Sequence, residues 1–187
     1  MVSLGALWLP IVLAAVFVFI ASSIIHMVLK YHNKEVRPLP NEDAVRSVLR
    51  GAPPGQYIVP YCPDMKDTEK PEVKQKFVEG PVGLIILRQP GAVSMGPALI
   101  QWFVFCLVVS LFTAYVASRT LPAGTEYLGV FRITGTVAFM GYGLANAAGS
   151  IWMGKPWSAT IKELFDALIY GLVTAGTFGW RWPDMAM

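Results

Sequence analysis

Residues 7–29, LWLPIVLAAVFVFIASSIIHMVL, contain no Asp, Glu, Lys or Arg. At about 1.5 Å of rise per residue, a helix of that length covers the roughly 30 Å hydrocarbon core of a bilayer. No Lys or Arg precedes the run, and it is longer than the apolar stretch of a cleavable signal, so the sequence predicts a retained anchor. Pro10 falls near the helix start, where its missing N–H costs little.

Three more predominantly apolar segments of about that length follow, at 97–118, 127–148 and 159–181, joined by connections short enough to make neighbours antiparallel. With 55% hydrophobic and 14% charged residues the chain is too apolar for a soluble domain, where charged residues approach about a quarter. The expected fold class is an all-α integral membrane protein with four transmembrane helices and a small cytoplasmic α+β segment between the first and second. It divides into 1–30, the first helix; 31–96, a polar and interfacial segment; and 97–187, a three-helix transmembrane core.

Within the polar segment, Asn41 is a capping residue followed by Glu42 and Asp43, and Arg46 and Arg50 precede Gly51, the charge order a helix over 41–50 favours. A second helix is predicted over 69–79, ending at Gly80-Pro81. Extended pieces at 57–61 and 82–87 are candidates for pairing.

Lys30, Lys34, Arg37 and Arg88 flank this segment close to the spans, and Lys155 and Lys162 lead into the fourth. Positive charge near span ends marks the cytoplasmic side, so both chain ends are expected outside, periplasmic in a bacterium, with the inner (plasma) membrane as the location. The tryptophans agree with these boundaries: Trp8, Trp180 and Trp182 fall at one headgroup level, Trp102, Trp152 and Trp157 at the other.

Transmembrane helices associate through close backbone approach at small residues. Such spacing occurs at Ser110, Ala114 and Ser118, at Gly141, Ala145 and Gly149, and at Gly171, Ala175 and Gly179. The first span has a less regular set, so it is expected at the periphery, free to meet another copy or a partner.

Ionisable groups within spans are candidates for function. Arg132 lies a turn inside the third span, where its long stem can snorkel to the headgroups. Lys162 and Asp166 have the spacing of a helical ion pair, with Glu163 beside them. Asp166 with Asn146, Tyr170 and Thr174 is the alternative, a polar path for protons or small ions. A separate set, His26, His32, Cys62 and Met65, offers imidazole, thiol and thioether ligands, although the histidines are six apart, which puts them on different helical faces.

Two cysteines build neither a disulfide framework nor a paired-cysteine zinc site. Nucleotide-binding and nucleophile–base motifs are missing, and acidic residues interleave with the basic ones, which argues against nucleic acid. No catalytic residue and no cofactor is assigned. The leading expectation is a non-enzymatic accessory or structural subunit, working as a homo-oligomer or with other membrane subunits in the lipid bilayer. Second comes a small oligomeric channel or transporter unit for protons, ions or a small solute, and third a metal-binding membrane protein.

Overall fold

The computed structural model describes residues 1–184, so the end of the 97–187 unit lies outside the described residues. The chain is mostly helical. A 3₁₀ turn, Leu4–Leu7, capped by the Ser3 side chain, leads into α1, Trp8–Ser23, which continues as a π-helical turn, Ile24–Leu29. After the polar segment come α4, Gly96–Thr120, α5, Tyr127–Tyr142, the short α6, Ala147–Met153, and α7, Trp157–Trp180. Three helical stretches are long and apolar enough to cross a membrane: Leu4–Leu29, Gly96–Thr120 and Tyr127–Met153.

The long helices form a closed ring in which α1 packs on α4, α4 on α5, α5 on α7 and α7 on α1. Their buried residues gather at two levels. One holds Val18, Ile25, Cys106, Tyr142, Ala167 and Tyr170; the other holds Leu7, Ala14, Ala114, Val130, Phe178 and Trp182. Early α1 residues therefore sit with late α4 and α7 residues, the up-down-up-down order that short connections impose. At the second level the residues just after α7 are tied to the α4–α5 loop, because Trp182 Nε1 donates to the Pro122 carbonyl at 3.0 Å and Gly124 N to that of Pro183 at 2.9 Å.

The expectation of a peripheral first helix is corrected here. Leu7, Ala14, Ala15 and Val18 are fully buried, and α1 completes the ring between α4 and α7. Alanine at 14 and 15 lets the helix approach both neighbours, which the irregular spacing of its small residues hid.

The α5–α7 interface is the closest. A Cβ added at Gly171 would meet the Gly135 carbonyl oxygen at 3.1 Å and Phe139 Cβ at 3.3 Å, and one at Gly135 would meet Ala175 Cβ at 3.0 Å. The Gly171, Ala175 and Gly179 stripe thus faces α5, and Ser110, Ala114 and Ser118 are buried on α4. The third stripe is not one face: Gly141 lies against Val109, whereas Ala145 is exposed. The helix tightens to 3₁₀ at Leu144–Asn146, which breaks the four-residue register, and Gly135 and Gly143 supply the close approach to α7 instead.

In the polar segment α2 is Glu42–Leu49 and α3 is Pro71–Glu79, with Pro71 in the first turn, where no N–H is needed. Asn41 precedes α2 as expected, but it caps through a left-handed backbone (φ 54°) whose carbonyl accepts from Ala44 and Val45, and its side chain makes no capping bond. Strands β1, Gly55–Val59, and β2, Gly83–Leu87, pair antiparallel, with Tyr57 opposite Ile85. No residue from Tyr31 to Gly96 is buried, so this segment has no core of its own.

Gly171→Val should destabilise the bundle by about 1–3 kcal/mol, the usual cost of overpacking, because the atoms it meets include backbone. Thermal unfolding in detergent checks this against Gly5→Ala, where a Cβ meets nothing within 4 Å and no change is expected.

Candidate functional site

The end of α1 does not finish as an ordinary helix. The hydroxyls of Ser22 and Ser23 both donate to the Phe19 carbonyl, at 2.9 and 2.8 Å, a back-bonding that loosens the helical ladder. The next turn widens to the π form, and Lys30, left-handed at φ 52°, closes it by donating its N–H to the Ile25 carbonyl. The chain then reverses into a 3₁₀ turn, Tyr31–Lys34. This reversal places His32 beside His26, with rings stacked at 4.8 Å and 2° from parallel. A regular helix would have put them on different faces.

Both imidazoles turn toward Asp166 in the third turn of α7. His32 Nε2 lies 2.8 Å from Asp166 Oδ2 and His26 Nε2 3.9 Å from the same oxygen, while the Tyr31 hydroxyl donates to Oδ1. The Asp166 side chain is only 5% exposed, and a buried carboxylate needs such partners. The far nitrogens are also engaged: His26 Nδ1 is 3.0 Å from the Ser22 carbonyl oxygen, and His32 Nδ1 is 3.0 Å from both Glu35 carboxylate oxygens. A carbonyl only accepts, so His26 carries a proton on Nδ1, and Nε2 is the nitrogen left to face an ion.

Around this node Lys162 Nζ reaches Glu35 Oε1 at 3.0 Å and donates to the Tyr31 carbonyl at 2.9 Å. Partial burial opposes charge on Glu35, but the hydrogen bonds from His32 and Lys162 outweigh it and hold the carboxyl below its ordinary pKa. Glu163 pairs with Lys155.

The Lys162–Asp166 pair expected from helical spacing is therefore replaced. Asp166 faces inward to the turn after α1, and Lys162 reaches that same turn from outside. Of the metal set, the structure brings His26 and His32 together but not with Cys62 and Met65. Those two line a surface groove with Ile58, Tyr61 and Phe77, and Cys62 Sγ donates to the Asp64 carbonyl at 3.1 Å. Asp166 takes their place: His26, His32 and Asp166 each offer a ligand atom, all within 4.8 Å of one another. Arg132 lies exposed at the far level of the bundle, beside Gly135 and Phe139. Asn146 donates to the Tyr142 carbonyl at the kink after α5 and makes no hydrogen bond to Asp166. Tyr170 and Thr174 follow Asp166 along one buried face of α7, and their hydroxyls have no partner among the described residues.

Tyr31 and Glu35 were not singled out in the sequence. The one signal was the three-residue spacing of His32 and Glu35, which puts them together wherever the chain turns helically. No family model matches the chain, nor does any curated protein or solved structure.

Asp166→Ala removes the acceptor shared by Tyr31 and His32 and should cost about 1–3 kcal/mol of stability. Trypsin cleavage after Lys30 and Lys34 should accelerate in the variant, whereas Arg132→Ala, at an exposed position, should change neither readout.

Proposed function

We propose that this is a four-span membrane protein that binds a divalent transition-metal ion at His26, His32 and Asp166, where α1 ends and α7 begins. The fourth span is α7. Its charges are confined to its first three turns, and each has a partner: Lys162 with Glu35, Glu163 with Lys155, Asp166 with Tyr31 and His32. Neutralised in this way at one end of the bundle, they are compatible with the headgroup level of a membrane-crossing helix. The basic residues flanking the polar segment support a cytoplasmic side for that end.

One observation carries the metal reading: two histidines aim Nε2 at one carboxylate while each Nδ1 is held by an acceptor. Metal-binding histidines are oriented in this way, the outer carbonyl or carboxylate fixing tautomer and ring direction. Two imidazoles and a carboxylate suit zinc and its first-row neighbours better than calcium or magnesium. For bonds of about 2.0–2.1 Å tetrahedral ligand atoms lie about 3.4 Å apart, so the set closes on an ion by shifts of about 1 Å. A salt-bridged staple needs only one histidine, and the second, stacked in register, is what a ligand set adds.

Chelator-stripped protein in dodecyl maltoside should bind one zinc ion per chain by calorimetric titration. His32→Ala and Asp166→Ala should abolish binding, and Glu35→Gln, which frees His32 Nδ1, should weaken it about 10–100-fold. Cys62→Ser should bind as the parent does; loss of zinc there, or retention in His32→Ala, would refute the assignment.

A second reading, assembly with a partner through the polar segment, is favoured by the absence of any buried residue from 31 to 96 and by the exposure of Val48, Tyr61, Val78 and Ile86. In inside-out vesicles a membrane-impermeant maleimide should label Cys62, and in right-side-out vesicles it should not, while Cys106, fully buried in α4, stays unlabelled in both. Labelling of Cys62 from the outside would reverse the orientation.

A further inference from the structure

The node is closed on most sides. The side chains of His32, Glu35 and Asp166 are 15%, 18% and 5% exposed, whereas that of His26 is 52% exposed. The open edge of His26 lines a groove of about 320 Å³ between the last turn of α1 and the first turns of α4. Met27, Met95, Leu99 and Trp102 form its walls, with Ser22 and His26 at its polar edge. Trp102 Nε1 donates to Ser22 Oγ at 2.8 Å, which fixes the indole across the groove. The groove thus lies on the outside of the bundle, apolar along its length, and ends at a metal ligand.

From this arrangement we infer that the metal node takes the head of an amphiphile from the surrounding bilayer: an alkyl chain in the groove bearing an anionic oxygen group, phosphate or carboxylate, that completes the metal's coordination. The inference rests on the metal reading above. With the ion in place of the proton that His32 Nε2 donates to Asp166, two neutral imidazoles and one carboxylate leave a divalent ion with net positive charge and an unfilled position, the pattern of sites that bind an exogenous oxygen ligand. His26 is the only ligand with an exposed edge, so the unfilled position is reached past its ring. An approaching molecule comes through walls of methionine, leucine and tryptophan. A freely diffusing anion gains nothing from those walls, whereas an amphiphile already held in the bilayer packs its chain along them and so presents its head to the ion at a high effective concentration. Charge complementarity selects the head and the apolar lining selects the tail.

Cobalt(II) replaces zinc as a visible probe in stripped protein held in dodecyl maltoside, whose head is uncharged. Dodecyl phosphate should shift the cobalt d–d bands at concentrations at least about tenfold below those at which inorganic phosphate does, and dodecanol should leave them unmoved. Leu99→Trp, which narrows the groove and replaces no ligand, should bind cobalt as the parent does but lose the preference for dodecyl phosphate over inorganic phosphate. Bound cobalt whose spectrum ignores dodecyl phosphate, responds equally to inorganic phosphate, or is stripped from the protein by the amphiphile overturns this inference and leaves the metal site standing. Failure of the parent protein to bind cobalt or zinc overturns the metal reading and this inference together.

Discussion

A carboxylate buried between helices needs donors within reach, and Asp166 sets that requirement at one end of this bundle. Its own helix supplies none, because Lys162, a turn earlier, is drawn outward to Glu35. The donors come from the Tyr31 hydroxyl and the His32 ring, on a turn that exists only because α1 widens at Ile24–Leu29 and reverses at Lys30. A left-handed lysine costs of order 1 kcal/mol, and the hydrogen bonds that follow from the reversal offset it. Local distortion in α1 and burial of Asp166 in α7 are two sides of one interaction, which joins the end of α1 to α7 where the packing of Ala14, Ala15 and Val18 has already set α1 in the ring.

The two sides of α7 use different physics. Toward α5 it presents glycine and alanine, and backbones approach until a single Cβ would be too much. Such contact gains from dispersion along its whole length and depends little on any one polar group. Toward α1 it presents Asp166 to a few directed bonds concentrated at one end. Rigid packing on one face gives the node a fixed platform on the other. The rotation of α7 that brings Gly171 against Gly135 also fixes the direction of Asp166.

What could be read from the sequence was what is local. Predominantly apolar runs of sufficient length located the long helices, although the third breaks into a 3₁₀ turn at Leu144; Gly80 marked the end of α3, which begins two residues later than predicted, and short apolar pieces marked strands that do pair, although β1 runs over Gly55–Val59 instead of 57–61. The node was legible only in part. His26 and His32 were recognisable as ligands by type, but helical periodicity separates residues six apart by about 240°, and nothing in a single sequence marks a π turn followed by a left-handed lysine. Asp166 stood out as an ionisable residue in an apolar span; its assignment to Lys162 failed because the spacing rule for exposed helical pairs ignores which face is buried. Cys62 and Met65 were grouped with the histidines by ligand chemistry alone, and chemistry without topology could not show that they line a separate groove beside β1 and α3.

The polar segment gives the node its reach. With no residue buried between Tyr31 and Gly96, that segment is stabilised chiefly by what holds its ends, and its first residues are the ones bonded to Asp166 and Lys162. On the metal reading, an ion joining His26 in α1, His32 in the turn and Asp166 in α7 would tie three parts of the chain at one point and stiffen the exit of the segment from the bundle. A ligand arriving by the groove beside His26 would then act on coordination, and through His32 on Glu35 and the start of the segment. Coupling of that kind needs no long path, because the groove, the ion and the segment's first turn share neighbouring residues.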